Sequence, residues 1–433
     1  MAEMLDSASP PSPPSPPLDT WMGRILDLLG DLDLEELARS TKALVRRRGV
    51  KSVQALLHLA LARGPGGFSL RQTTAWAHMA GVADITDASL NDRLHKSCDF
   101  LSAIVAAMLR GRTNEAPARR PGRCLRIADG SCVSKPGGKR GVSGADWRIH
   151  GVYDLGLGGF SHLEITDKHG GEAIDRGAPT EGEIRIADRG FANAKALRRY
   201  VEAGKRAHGA STDFIVRLRW NACKLADLDG QPFDLIERLR SLPKDRQVDD
   251  IPVKILGAGA PLPVRLVVRR KAPEHVEAEI KRLRRMAEKN KRQLDPRSLV
   301  AAEFVVVATS LDEEDFPASE VLALYRLRWQ IELAFKRLKS LLHIDKLPAK
   351  TERGGLSWLY AHLILAIAVE AEAQDLLDSF PSGPCRRELH SVAMARLQSR
   401  APRLHHVHSR RGAHGRFSIA ATPISSTPRR AAT

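Results

Sequence analysis

A chain of 433 residues is long enough for two or three domains and a sizeable core, and its formal net charge of +17 and isoelectric point near 10.0 point to a polyanionic partner, most simply nucleic acid. Five cysteines (Cys98, Cys124, Cys132, Cys223, Cys385) without a C-x-x-C pair speak for a reducing compartment and against a zinc site. The longest apolar run, Trp358–Val369, is interrupted by His362 and too short for a bilayer, and the acidic, proline-rich N-terminus is not a secretory signal, so a cytosolic chain without a membrane partner is expected.

Residues 1–18, with PPSPPSPP, lack the side chains of a core and predict a flexible or polyproline-type tail. Residues 19–120 carry helical spacing in ILDLLGDLDLEELARSTKAL and SVQALLHLALAR. Ser69 caps LRQTTAWAHMA, Gly81 breaks it, and ASLNDRLHKSCDFL restarts near Asp87. That order suits a helix-turn-helix with Arg93, His95 and Lys96 on the reading helix, with an ordinary helical bundle as the alternative. NEAPARRPG (114–122) is a linker.

The period then changes. CLRIAD (124–129), RIHGVYDL (148–155) and FSHLEITD (160–167) predict three strands joined by glycine-rich turns. EIRIAD (183–188) is a fourth, a helix follows from about Asn193 to Ala203, and DFIVRLR (213–219) is a fifth. Three meandering strands and then strand–helix–strand is the order of a ribonuclease-H-like fold. The span 225–300 interrupts it with strands at Ile251–Leu256 and Val264–Arg269 and a highly charged helix at His275–Asn290. That helix suits either an exposed face laced with ion pairs or an insert that contacts phosphates. FVVVA (304–308) resumes a buried strand, and another apolar helix spans about Leu356–Leu377. The stretch from about Ala401, including His405, His406 and His408, predicts a disordered basic tail.

Between the last two, Pro317–Leu342 predicts one helix with two faces. Leu324, Leu327, Ile331, Ala334, Phe335, Leu338, Leu341 and Leu342 form a stripe fit to dock on a core. Tyr325, Arg328, Trp329, Glu332, Lys336 and Lys339 share the other side, one carboxylate among cations and aromatics. Asp129 and Asp188 each sit in near-identical text, RIADGS and RIADRG, at the predicted end of a strand. Three carboxylates brought together would repel unless a cation offsets them, and an oxygen-only set favours Mg²⁺ or Mn²⁺. Two such ions suit in-line phosphoryl displacement.

The spacing Y-x2-R-x3-E-x6-K, as Tyr325, Arg328, Glu332 and Lys339, resembles the signature of insertion-sequence-four-type DDE transposases, with IADGS and IADRGF matching the family's two aspartates. The resemblance implies an α/β fold: a ribonuclease-H-like catalytic core (121–222 and 303–380) interrupted by a mostly β insertion (223–302), after a helical DNA-binding domain (19–120) and before an irregular tail (381–433). It implies that Asp129, Asp188 and Glu332 are catalytic and hold two Mg²⁺ or Mn²⁺ ions. Tyr325, Arg328 and Lys339 would contact DNA phosphates, a role extended to Trp329 and Lys336. Phe304 or Trp220 would be candidates to stack on a flipped base. The partners would be double-stranded transposon ends and target DNA, held by a homodimer in the bacterial nucleoid. A metal-dependent nuclease without strand joining, or a non-catalytic DNA-binding remnant, are the rival expectations.

Overall fold

The computed structural model describes residues 17–113, 123–134, 147–209, 212–257, 259–345, 347–348 and 351–378. The expected tails, the 114–122 linker, Cys385 and the three-histidine cluster lie outside them. The N-terminal third is helical: α1 (Pro17–Leu29), α2 (Leu34–Ser40), α3 (Val53–Arg63), α4 (Leu70–Met79), α5 (Asp87–Lys96) and α6 (Cys98–Thr113). Ser69 caps α4 with a full capping box, its hydroxyl accepting from Gln72 N–H while the Gln72 side chain accepts from Ser69 N–H.

Helices α4 and α5 meet through the Gly81 turn as expected, and each of the three side chains assigned to reading DNA has a partner within the chain. Arg93 donates to the Arg46 carbonyl, His95 Nε2 lies 3.1 Å from Thr351 Oγ1, and Lys96 pairs with Asp92 at 2.7 Å. The α5 residues left most exposed are Asp87, Ala88, Ser89, Asp92 and Lys96, and they give a face with more negative than positive charge. Helix α5 packs on α4, α6 and α13.

Among the described residues that follow, nine strands form one mixed sheet. Its strands are β1 (Cys124–Val133), β2 (Trp147–Asp154), β3 (Gly159–Asp167), β4 (Glu183–Ala187), β5 (Asp213–Arg217), β6 (Lys224–Ala226), β7 (Val248–Leu256), β8 (Leu262–Arg270) and β9 (Phe304–Thr309). In space they run β3-β2-β1-β4-β5-β9-β8-β7-β6. The meander β1–β3 is antiparallel, whereas β4 and β5 lie parallel to β1. The span 223–302 joins this same sheet through β8, which pairs with β9, and its described residues hold as many helices as strands: α8 (Leu235–Ser241), α9 (Pro273–Lys289) and α10 (Pro296–Ala302) beside β6–β8. The expectation of a mostly β segment is corrected accordingly.

Strand alternation sorts the core into two faces. Ile127, Ile149, Ile184, Ile186 and Ile215 point to the side covered by the N-terminal helices and the C-terminal helices, while Ala128, Ala187, Phe214 and Val216 point to α7 (Ala194–His208) and α8. The last helix, α13 (Glu352–Asp378), packs against α1, α3, α5, α6 and β3. It contains a stretch long and apolar enough to cross a membrane, longer than the expected run, and 83% of that stretch is buried inside the protein. It is the core helix that joins the bundle to the sheet.

One titratable group sits in that core. His362 is buried, its Nδ1 lies 2.8 Å from the Trp358 carbonyl, and its ring stacks on Trp358 at 3.6 Å. Burial pushes it down to about 3, with His343 and Arg63 acting in the same direction. A depressed histidine contributes stability that is complete above the unfolded value near 6.5 and is lost as pH falls towards 3. Unfolding free energy measured from pH 7 to 4 should therefore fall more steeply in the wild type than in His362→Gln. The difference in slope should approach about 1.4 kcal/mol per pH unit at the acid end.

Candidate active site

The two copies of R-I-A-D are register partners. In the parallel pair β1–β4, Arg126 stands beside Arg185, Ile127 beside Ile186 and Ala128 beside Ala187, so Asp129 and Asp188 come next on adjacent strands. Both follow an isoleucine two residues earlier that faces the α13 side, and Asp188 keeps extended backbone (φ −82, ψ 177), so both carboxylates rise from that same face. Asp129 does not end its strand as expected. β1 continues to Val133 because β2 still pairs with it, Asp129 against Gly151, beyond the point where β4 stops.

A buried ionic network on the opposite face fixes this register. Arg126 Nε donates to Asp154 at 2.8 Å and its Nη1 to Glu183 at 3.3 Å. Arg185 Nε donates to the other Glu183 oxygen at 2.5 Å, its Nη1 reaches the carbonyls of Ile174, Arg176 and Gly177, and its guanidinium lies 4.7 Å over the Tyr200 ring. Glu183 is fully buried, and against that burial the guanidiniums of Arg185 and Arg126 hold its carboxyl below the ordinary range.

The third carboxylate arrives on a helix that is broken where the periodicity is continuous. The expected single helix is two, α11 (Ala318–Arg326) and α12 (Trp329–Leu341). At the joint Leu327 N–H bonds Leu324 O, Arg328 N–H bonds Tyr325 O and Gln330 N–H bonds Leu327 O, the tighter i−3 pattern. The two halves answer to different parts of a twisted sheet: α11 packs on β4, β5, β7 and β8, and α12 on β1. Ile331, Ala334, Phe335 and Leu338 are buried as expected, which turns Trp329, Glu332, Lys336 and Lys339 outward on α12.

Gly151 sets how closely α12 sits over β1. A Cβ there would meet Phe160 Cε1 at 2.6 Å and Phe335 Cζ at 3.1 Å, and those rings pack 5.4 Å apart. Gly151→Ala should therefore overpack the seam beneath α12. The expected loss is about 1–3 kcal/mol, read as a lower denaturant midpoint with an unchanged m-value.

Tyr325 and Arg328 bridge the two helices to the carboxylates. Tyr325 Oη donates to Asp188 Oδ1 at 3.3 Å, and burial together with that carboxylate pushes the phenol up to about 12. Arg328 Nη1 pairs with Glu332 Oε1 at 2.6 Å. Asp129 Oδ1 accepts from Gly130 N–H at 2.8 Å. Burial pushes Asp129 up to about 6; the Gly130 N–H and Arg328 oppose this, while Glu172 and Glu332 add to it. The structure thus brings Asp129, Asp188, Glu332, Tyr325 and Arg328 together, with Trp329, Lys336 and Lys339 along the adjoining face of α12.

Sequence patterning missed Glu172. It lies in the loop after β3, its Cγ 3.7 Å from where a Cβ on Gly130 would be, and its Oε2 occupies the space of any Cβ on Gly190, which would come within 1.8 Å. It therefore sits between the glycines that follow Asp129 and Asp188. The text KHGGEA has no periodicity to reveal this; the small residues Gly130 and Gly190 are the only signal. Neither expected stacking aromatic is free. Phe304 is buried in the second core beneath the Arg270 guanidinium, and Trp220 packs against that core with Arg297 4.5 Å over its ring.

The donor set is all carboxylate, which fits a hard divalent cation, and the mutual effect of Asp129, Glu172 and Glu332 is what such a cation would relieve. Among the described residues no three acidic, His or Cys side chains already stand close enough to enclose an ion, and the Glu332 carboxylate faces Arg328.

Residues 120–368 match the family described as Transposase DDE domain. The chain is 38% identical over 371 residues to the InsL transposase of insertion sequence element IS186A from Escherichia coli strain K12, covering 84% of this chain and 96% of that one. It is likewise 38% identical over 372 residues, with the same shares covered, to the transposase of insertion sequence element IS421 from Escherichia coli. Among solved structures it is similar to a piggyBac transposase synaptic complex with hairpin DNA, at TM-score 0.37 and 11% identity over 88% of this chain and 70% of that one. The chain belongs to the DDE transposases, enzymes that act on DNA and depend on divalent metal. Within them it is a bacterial transposase of the insertion-sequence-four type.

Proposed function

We propose that this transposase binds the terminal inverted repeats of its own element, cuts at their ends, and joins the freed 3′-OH to target DNA at a site built from Asp129, Asp188 and Glu332. The observation that carries this reading is the register of β1 and β4, which sets the two aspartates side by side under the helix bearing Glu332. The strand order β3-β2-β1-β4-β5 with α7 between β4 and β5 supports a ribonuclease-H-like core, into which 223–302 is inserted.

Asp129, Asp188 and Glu332 would hold two Mg²⁺ or Mn²⁺ ions, with Glu172 as a neighbouring carboxylate. Bound there, the ions supply charge stabilisation for the attacking and leaving oxygens of an in-line displacement. Release of Glu332 from Arg328 would free the carboxylate for a metal and the guanidinium for a phosphate, a planar fork suited to two phosphate oxygens. Tyr325 positions Asp188, and Lys336 and Lys339 continue the cationic face along α12. Two ends cut and joined in concert imply a homodimer on DNA, acting in the bacterial cytoplasm where that DNA lies.

The test is incubation of the purified chain and Mg²⁺ with labelled duplexes carrying the DNA that borders its reading frame. Nicks at the repeat termini followed by products longer than the substrate are expected. Cleavage without joined products would favour a nuclease, and binding without cleavage a non-catalytic remnant.

A further inference from the structure

Strands β1, β4, β5 and β8 all point their carboxyl ends to the same edge of the sheet, and the charge along that edge changes sign. Asp129 and Asp188 stand at β1 and β4; beyond them come Arg189, Arg217 and Arg219 at β4 and β5, then Lys271 just past β8 and Arg282 on α9. The register ties these positions together: Val216 pairs with Ala187, Arg217 with Val307, and Val307 with Val267, so Arg217 continues the row begun by Asp188.

From β4 to β8 there are three strand spacings of about 4.8 Å, roughly 14 Å in all. That length matches about four base-pair steps at roughly 3.4 Å each.

The cations in this row are not balanced from within. Among the described residues the side chains of Arg189, Arg217 and Arg219 make no hydrogen bond or ion pair, although Arg189 and Arg217 are half-buried. The one carboxylate placed among the far cations is Glu279, paired with Arg282 at 2.6 Å. Burial and the surrounding guanidiniums of Arg217, Arg282 and Arg189 hold the Lys271 ammonium below its ordinary value despite Glu279, and Arg189 is lowered likewise. Helix α9 has no buried residue over 17 positions, and it turns Lys281, Arg282, Arg284 and Arg285 to solvent. Lys271 Nζ donates to the Ala302 carbonyl at 2.7 Å, so among the described residues three of the five cations, Arg189, Arg217 and Arg219, stand without an ion pair, and like charges gathered this way along one edge form a site for a polyanion.

We infer that Arg189, Arg217, Arg219, Lys271 and Arg282 form a phosphate track that carries the DNA duplex from the carboxylates onto α9. The inference rests on the proposed function and extends it, because it assigns the path of the duplex beside the site. A row of one sign of charge next to a cluster of the other also sets polarity. The backbone is held by the cations while only the scissile phosphate meets the acids.

The test measures binding of the full-length chain to a duplex bearing its element's end, as a function of salt, for wild type, Arg219→Gln, and Arg217→Gln/Arg219→Gln/Lys271→Gln. Each phosphate contact contributes about 0.9 to the slope of log K against log salt. The single variant should lose roughly 0.9 and the triple roughly 2.7 of that slope, and Arg219→Lys should restore most of it. Exposed Arg219 can be changed without disturbing the core, so its result stands even if the triple variant folds poorly. Wild-type slopes in both variants, with wild-type binding and cleavage intact, would overturn the track and leave the proposed function standing. A wild-type chain that neither binds nor cuts these ends would instead remove the reading on which the track rests.

Discussion

Replacing Glu332 by alanine should abolish end cleavage while leaving recognition of the ends nearly unchanged. The carboxylate is half-exposed on α12, so its removal opens no cavity and strands no buried partner; Arg328 is simply released to solvent or phosphate. What would be lost is the proposed ligand to cations that would stabilise charge in the transition state by several kcal/mol. At about 1.4 kcal/mol per decade this corresponds to at least roughly a thousandfold in rate. The measurement is single-turnover cleavage beside gel-shift affinity for the same duplex. Loss of affinity in proportion to loss of rate would mean that Glu332 holds the fold or the DNA and not the metal. Cleavage that persists would remove the helix from the active site altogether.

Glu183→Ala should be the most destabilising single change in the sheet. It removes the carboxylate shared by Arg126 and Arg185, leaves the Arg185 guanidinium in the interior without a counter-charge and Arg126 with Asp154 alone, and strands the Thr180 N–H that bonds Glu183 at 2.9 Å. Breaking a buried pair from one side costs about 3–5 kcal/mol. Here the damage extends further, because Glu183 also links β1 to β4. A slip of one residue in that pairing would turn Asp129 and Asp188 to opposite faces. Denaturant unfolding should show a midpoint shift of that size, and activity should fall even under conditions where the variant is folded. Replacement of Glu183 by glutamine, which keeps one acceptor for the arginines, should recover part of both.

Much of this architecture was legible in the chain. The repeated R-I-A-D text announced two equivalent strand positions, and every predicted strand is present with its ends moved by a few residues. The alternation that buries Ile127 and Ile186 also turns Asp129 and Asp188 to one face. What the repetition could not say is that the two copies lie next to each other in register, since pairing is a property of the sheet and not of either strand. The break at Leu327 was invisible for a physical reason: no glycine or proline marks it, and both residues of the joint keep helical backbone angles. Glu172 was hidden because loops carry no period. The burial of Arg126 and Arg185 ran against the usual exposure of arginine and needed the acidic partners, one of them on β2, to be seen. His95 and Arg93 looked free for DNA only until α13 and the Arg46 carbonyl were placed beside them.

The site itself stands on the claim that acids far apart in the chain share divalent cations. Mn²⁺ binding to the full-length protein, followed by electron paramagnetic resonance and calorimetry, tests it without reference to DNA. Wild type should bind the ion, and Asp129→Asn, Asp188→Asn and Glu332→Gln should each weaken binding while remaining folded. Undiminished Mn²⁺ binding in all three variants would contradict it.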